Sequence, residues 1–299
     1  MRTIILPAPG AEGTAAPLAS HLRAPVGRVE SRRFPDGESY LRLHDDLAGM
    51  EVVVVASLRE PDPQALGLWF LAQTARELGA RRVGIVAPYL PYMRQDMRFQ
   101  AGEAVTSGTF ARFLSQAFDW LVTVDPHLHR LAALSEVYTV PADNVASAPA
   151  IARWVAANIA QPVIVGPDAE SEQWASDVAR RVGCPFIVLA KRRLGDRSVE
   201  ISVPQAEAHA GRSPVLIDDI ISSARTMAVA VRQVRSVFDR EPVCIGVHAV
   251  FAADAVQALH EAGAGSVVTC NTLPHPSNGI DVMGDVAQAV RARLPGTDG

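Results

Sequence analysis

The chain has 299 residues, of which 48% are hydrophobic and 20% charged, and a formal net charge of −4. Such a length fits about two domains of roughly 150 residues each, long enough to bury a core. The charge balance gives no overall basic field, and no local basic patch replaces it, so neither nucleic acid nor a membrane surface is expected as a partner. The three cysteines, Cys184, Cys244 and Cys270, are far apart with no CxxC spacing. They fit inert thiols in a reducing compartment better than a disulfide framework. No apolar run nears the roughly 18 residues of a membrane span, and the apolar stretch within Met1 to Gly10 is too short for a signal peptide. The cytoplasm is the expected location.

Short apolar, β-branched runs recur along the chain: Thr3 to Leu6, Val52 to Val55, Val83 to Ala87, Leu121 to Val124, Val163 to Val165, Phe186 to Leu189, Val215 to Ile217, Val243 to Val250 and Ser266 to Thr269. Near-continuous apolar runs are the signature of parallel strands buried on both faces. Helical patterns lie between them. Trp174, Ala175, Val178, Ala179 and Val182 share one helix face, as do Met227, Ala230, Val231, Val234 and Phe238. Alternation of strand and helix predicts an α/β fold with mainly parallel, doubly wound sheets flanked by helices. The pattern runs twice, and the segment Val140 to Pro149 reads as a connection. The expected domains are therefore 1–145 and 146–299.

Ligands of open parallel sheets bind beyond the carboxyl ends of the strands. Asp125 and His127 follow one apolar run, Asp168 another, Lys191 a third, and Asp218 and Asp219 a fourth. Carboxylates, a histidine and a lysine are thus expected on one rim. Val215 to Met227 reads as strand, acidic pair, tight turn and helix start, with Ser223 or Thr226 available to cap the helix. The unpaired N–H groups and positive dipole of such a helix end suit a phosphate. Two carboxylates beside it make sense if they accept hydrogen bonds from sugar hydroxyls, and ribose 5-phosphate offers both groups. A Walker B reading of the acidic pair fails for want of GxxxxGK[ST]. Gly263-Ala264-Gly265 precedes a strand, so it is no dinucleotide fingerprint. His127-Leu128-His129 suggests a zinc pair, which would need further ligands at strand ends.

The segment around Asp218 resembles the phosphoribosyl-binding motif of type I phosphoribosyltransferases. Four more segments resemble the ribose-phosphate diphosphokinases in particular: Phe34-Pro35-Asp36-Gly37-Glu38, Tyr92-Met93-Arg94-Gln95-Asp96, Asp125-Pro126-His127 and Lys191-Arg192-Arg193. Their order and spacing match that family from about Thr3 to Asn271. The resemblance implies two tandem phosphoribosyltransferase-like domains, the first binding ATP and the second ribose 5-phosphate. It implies transfer of a diphosphoryl group from Mg²⁺-bound ATP to ribose 5-phosphate, in a homo-oligomer.

The family's pattern also assigns roles residue by residue. Phe34 would stack on adenine, with Asp36 and Glu38 bonding the nucleotide. Arg94 and Gln95, with Asp96 and Arg98, would meet the triphosphate. His127 and Asp168 would be the metal pair, each giving one ligand to a Mg²⁺ that keeps waters and phosphate oxygens. Asp218, Asp219, Ser222, Ser223, Ala224, Arg225 and Thr226 would cradle ribose 5-phosphate. Lys191, with Arg193, would stabilise the transferring group from a flexible loop containing Gly195. It is the single lysine among 28 basic residues, and its compact, mobile ammonium differs from a guanidinium fork.

Several residues depart from the pattern. Arg225 stands where the cradle has glycine, which predicts a strained turn or an added cation. Ser222 replaces an acidic residue, Met97 a basic one, and Ala169-Glu170-Ser171 a glycine pair. A non-catalytic regulatory homologue and a phosphoribosyltransferase are the alternatives, although the latter has no need of Phe34 to Glu38 and Arg94 to Asp96.

Overall fold

The computed structural model describes residues 2–168, 171–193, 199–204 and 206–295, without the side chains of 191–193, 199–202 and 206. The elements run in the order β1 (Thr3–Pro7), α1 (Glu12–Leu22), β2 (Val29–Arg33), β3 (Ser39–Leu43), β4 (Glu51–Val55), α2 (Asp62–Glu77), β5 (Arg82–Val86), α3 (Thr106–Ala117), β6 (Trp120–Val124) and β7 (Ala142–Val145). There follow α4 (Ala148–Asn158), β8 (Pro162–Gly166), α5 (Glu172–Val182), β9 (Phe186–Val188), β10 (Ala190–Arg193), β11 (Val199–Ser202), β12 (Ser213–Ile221) and α6 (Arg225–Arg235). The chain ends with β13 (Val243–Ala249), α7 (Ala255–Glu261), β14 (Ser266–Cys270), β15 (Asn278–Ile280) and α8 (Met283–Arg293). It divides into two compact units. One runs to Val145 and takes in Thr272–Pro274 and the segment from Met283; the other comprises Ala146–Asn271 and His275–Val282.

The first unit is a five-stranded parallel sheet in the order β1-β4-β5-β6-β7. Its runs are apolar because both faces are covered: every residue of β4 and of β6 is buried. The connection from β6 to β7 carries only a short 3₁₀ turn, Leu134–Glu136. The C-terminal α8 supplies the missing cover by packing on β6, β7 and α1. The sequence reading put this helix in the second domain, because connectivity alone does not reveal an uncovered strand pair elsewhere in the chain. Arg293, near the end of α8, pairs with Asp143 on β7, and its carbonyl oxygen accepts from Arg82 Nη2 at 2.6 Å. The hairpin β2–β3 stands apart as a two-stranded antiparallel ribbon packed on α2.

The second unit is a six-stranded sheet in the order β15-β14-β13-β12-β8-β9, with every pairing parallel. Strand order runs outward from β8 to β9, then reverses to β12 on the other side of β8. Helix α5 packs with α4, and α6 with α7. The stripe read on α6 is the buried one, since Met227, Ala230, Val231, Val234 and Phe238 all lie in the core. On α5 the buried residues are Ala175, Val178 and Ala179, and Trp174 and Val182 are half-buried. One difference from the sequence reading concerns the candidate site. Strand β12 continues through Ile221, in register with β13 as far as Ala249, so the acidic pair lies within the strand and not after it. Lys191 lies on β10, paired antiparallel with β11 at Ile201, and Gly195 of the expected flexible loop lies outside the described residues.

Close approach fixes one glycine in the first sheet. A Cβ on Gly84 would fall 1.9 Å from Cε2 of Trp120, its partner across the β5–β6 pairing. Trp120 is rigid and buried, so the strands themselves would have to part. Gly84→Ala should lower stability by about 3 kcal/mol, at the upper end of overpacking costs. A urea unfolding midpoint equal to that of the unaltered chain would contradict this packing.

Candidate active site

Reversal of strand order opens a crevice between the carboxyl ends of β8 and β12, where open α/β sheets bind ligands. Asp168 stands two residues beyond the end of β8. Its loop is clamped by Ser171, which is buried: the Ser171 hydroxyl donates to the Asp168 carbonyl oxygen at 2.6 Å, and the Ser171 N–H donates to Asp168 Oδ1 at 3.2 Å. Gly166 leaves room for that hydroxyl, since a Cβ there would lie 2.7 Å from Oγ of Ser171. Glu170 lies outside the described residues.

On the other side of the crevice, the Asp219 N–H donates to Asp218 Oδ1 at 3.0 Å and the Ile220 N–H donates to Asp219 Oδ1 at 2.7 Å. Asp219 is buried and Asp218 half-buried. Burial, reinforced by the negative charges of Asp219 and then Asp168, pushes the Asp218 carboxyl up to about 8. Asp218 therefore lies within electrostatic reach of both Asp219 and Asp168, and its side chain shares a hydrogen bond with that of Asp219.

Beyond β12 the Ser222 carbonyl oxygen accepts from the Ala252 N–H at 3.0 Å, which ties the turn to the end of β13. Ala224 adopts the left-handed conformation with φ +56°, and α6 begins at Arg225. Neither Ser223 nor Thr226 caps the helix, as no side chain does. The N-cap position falls on Ala224, which carries no oxygen to accept a bond. The strain expected at Arg225 also falls on Ala224, at a cost of about 1–2 kcal/mol. A left-handed residue followed by helical ones turns successive N–H groups toward one concavity, an anion-binding arrangement strengthened by the helix dipole. Ser223, Arg225 and Thr226 are exposed around it, and Ser222 is half-buried. The side chains of Lys191 and Arg193 lie outside the described residues. Their backbone starts a ribbon two residues after β9, the neighbour of β8.

In the first unit the Phe34 to Glu38 segment is the turn of the β2–β3 hairpin. The Gly37 N–H donates to the Phe34 carbonyl at 2.9 Å with Gly37 at φ +92°, and Asp36 Oδ1 accepts from the Glu38 N–H at 3.1 Å. Phe34 is 39% exposed, with the Arg32 guanidinium 4.5 Å from its centroid and Tyr40 edge-on at 6.1 Å. An exposed aromatic face is thus held in place by its neighbours.

Arg94, Gln95, Asp96 and Arg98 lie on the loop that leaves β5. Tyr92, at φ +66°, starts it, and its hydroxyl donates to Asp62; burial and that carboxylate push the phenol up to about 12. Arg94 is exposed, and it has no side-chain hydrogen bond or ion pair among the described residues. Gln95 Oε1 accepts from the Thr106 hydroxyl, and Arg98 Nε donates to the Glu103 carbonyl at 2.9 Å. Asp96 turns inward: its side chain is 2% exposed and takes Arg130 Nη1 at 2.9 Å. His127 lies just past β6, and its ring centroid is 4.1 Å from that of His129. Among the described residues, no hydrogen bond, ion pair or ring contact joins the hairpin turn to the Arg94 loop. No group of three His, Cys, Asp or Glu side chains among them is arranged to hold a metal ion. Two residues that sequence reasoning missed now belong to the site's framework, Ser171 and Arg130. Neither position carries a pattern of its own; only folding shows their partners.

Comparisons with known proteins bear on the family and the fold. A family model described as the N-terminal domain of ribose phosphate pyrophosphokinase matches residues 4–117, and one described as the phosphoribosyl transferase domain matches residues 141–284. The ribose-phosphate pyrophosphokinase of Methanopyrus kandleri is 35% identical over 91% of this chain and 93% of its own. That of Methanothermobacter thermautotrophicus is 33% identical over 93% and 96%. The crystal structure of phosphoribosylpyrophosphate synthetase from Mycobacterium smegmatis superposes with a TM-score of 0.85 at 23% identity, covering 98% of this chain and 99% of that one, a match of fold. On these sequence matches over nearly its whole length, the chain belongs to the ribose-phosphate pyrophosphokinase family.

Proposed function

We propose that the chain is a ribose-phosphate diphosphokinase, transferring the diphosphoryl group of Mg²⁺-bound ATP to the 1-hydroxyl of ribose 5-phosphate. The observation that carries this reading is the reversal of strand order at β8 and β12, where Asp218 has Asp219 and Asp168 as charged neighbours and the strand leads through a left-handed Ala224 into the uncapped start of α6. Sugar hydroxyls supply donors to Asp218 and Asp219, and the 5-phosphate fits the N–H concavity of Ser222 to Thr226. A nucleotide is assigned to the first unit, with its base on Phe34, Asp36 and Glu38 as further contacts, and its phosphates on Arg94, Gln95 and Arg98.

In the reaction the 1-hydroxyl oxygen of the sugar attacks the β-phosphorus and its proton passes to solvent. The bond from β-phosphorus to the bridging oxygen breaks, and AMP departs with that oxygen. No covalent enzyme intermediate is needed. Lys191 and Arg193 stabilise the charge that builds on the transferring group, the main protein contribution to phosphoryl transfer. His127 and Asp168 would each hold Mg²⁺ through one ligand, and the bound ion would neutralise phosphate charge. The carboxylates of Asp219 and Asp168 beside Asp218 fit a cation brought in with phosphates. A cytoplasmic location accords with Cys184, Cys244 and Cys270 as free thiols, and among the described residues no helix is long and apolar enough to cross a membrane. A homo-oligomer accords with Leu66 and Phe70, which expose apolar side chains on α2.

The direct test is AMP formation from ATP. It should require ribose 5-phosphate and Mg²⁺ together, and Lys191→Ala should lower kcat by about 10²–10³, the cost of losing one transition-state donor. If ribose 5-phosphate binds and no AMP forms, the chain is a regulatory homologue and Arg225 is the first residue to revert.

Crowding of the carboxylates has a measurable cost. The folded Asp218 carboxyl titrates above its unfolded value, so between about pH 4 and pH 8 the folded chain holds more protons and loses stability as pH rises. Asp218→Asn removes that cost. Its melting temperature should exceed that of the unaltered chain by about 2–4 °C at pH 8.5, one kcal/mol in a protein this size, and the gap should close toward pH 4. A gap independent of pH would contradict the cluster.

A further inference from the structure

Arg130 has no role in the scheme above, yet its guanidinium is held in place at the edge where the proposed nucleotide loops leave the sheet. It lies three residues beyond His127, past the end of β6. Its Nη1 donates to Asp96 Oδ1 at 2.9 Å, and its Cζ stands 5.5 Å from the centroid of the Phe99 ring. The two partners differ sharply in exposure: the Asp96 side chain is 2% exposed and that of Arg130 is 52% exposed. The Asp96 oxygen that makes a bond, Oδ1, is already taken by Arg130, which leaves this carboxylate no exposed acceptor for a nucleotide. Its other oxygen, Oδ2, is buried with no hydrogen-bond partner among the described residues, so Arg130 is what compensates the charge of Asp96 there.

Arg130 does not depend on Asp96 to the same degree. A guanidinium carries five N–H donors, and Asp96 takes one of them. Asp96 is the one polar partner of Arg130 among the described residues, so its remaining donors face solvent from a half-exposed head. The carboxylate and the ring fix the guanidinium plane, so little side-chain freedom remains to be lost when a ligand binds. Arg94 and Arg98 lie on the same loop as Asp96, the former with no side-chain partner among the described residues. A half-exposed, pre-oriented fork, whose carboxylate partner shares its loop with two further arginines, suits a polyanion with several oxygens.

We infer that Arg130 binds the nucleotide's phosphates beyond the first, and that Asp96 is the positioning residue that aims it. This rests on the assignment of the Arg94 loop to ATP. Asp96 therefore leaves the set of direct nucleotide contacts.

The test is calorimetric titration of the full chain with Mg·ATP and, separately, with AMP. Arg130→Gln should weaken Mg·ATP binding about tenfold and AMP binding less than about twofold, since one charge-assisted phosphate bond is lost. Arg130→Lys, which keeps the charge and the ion pair, should recover part of the loss, and Asp96→Asn should show a smaller loss of the same ATP-selective kind. Unchanged ATP affinity in Arg130→Gln overturns the inference and leaves the ATP assignment standing. Equal weakening of ATP and AMP overturns it too, because that is the mark of a loop scaffold. If the unaltered chain binds neither nucleotide, the ATP assignment falls and the inference with it.

Discussion

Three carboxylates held within mutual reach at one crevice are the constraint around which the second unit is organised. Asp168, Asp218 and Asp219 meet because strand order reverses between β8 and β12. Right-handed crossovers then send the following helices away from each other, as the separate pairs α4–α5 and α6–α7 reflect. Left alone, the cluster opposes folding, since it drives the Asp218 carboxyl up to about 8. In the proposed function, ligand hydroxyls and a phosphate-borne cation would offset that cost, and the N–H groups at the start of α6 would receive the anionic part of the same ligand. Strain at Ala224 belongs to the same arrangement, because the left-handed residue turns those N–H groups inward.

The first unit solves a different problem. Its strands follow one another across the sheet without reversal, so no crevice of that kind opens among them. The groups proposed to bind the nucleotide lie instead on the loops leaving β5 and β6 and on the β2–β3 hairpin. Those loops are ordered by internal bonds: Gln95 with Thr106, Arg98 with Glu103, Asp96 with Arg130, and Asp36 with its own turn. Helix α8 returns from the end of the chain to cover β6 and β7, and Arg82, Arg293 and Asp143 join it to the sheet.

Much of this could be read in the sequence where chemistry is local. Valine-rich runs became buried parallel strands because a strand covered on both faces tolerates little else. The apolar stripe of α6 became its buried face for the same reason. What escaped depends on partners distant in sequence. Nothing near Met283 shows that α8 must cover β6, and nothing near Asp96 shows that Arg130 will bury it. The capping role given to Ser223 and Thr226 failed by a shift of one residue or two, since Ala224 takes the N-cap position. The pairing that puts Lys191 on β10 could not be read either, because its partner Ile201 lies ten residues away with no strand pattern between them.

The central claim is that the crevice at β8 and β12 holds ribose 5-phosphate through the carboxylates of Asp218 and Asp219. Calorimetric titration of ribose 5-phosphate into the unaltered chain, Asp219→Asn and Arg94→Ala tests it most directly. The account predicts one site per chain, about tenfold weaker binding in Asp219→Asn from loss of a charged hydrogen bond, and unchanged binding in Arg94→Ala. Full affinity in Asp219→Asn together with lost binding in Arg94→Ala would contradict it, since the sugar phosphate would then sit in the first unit.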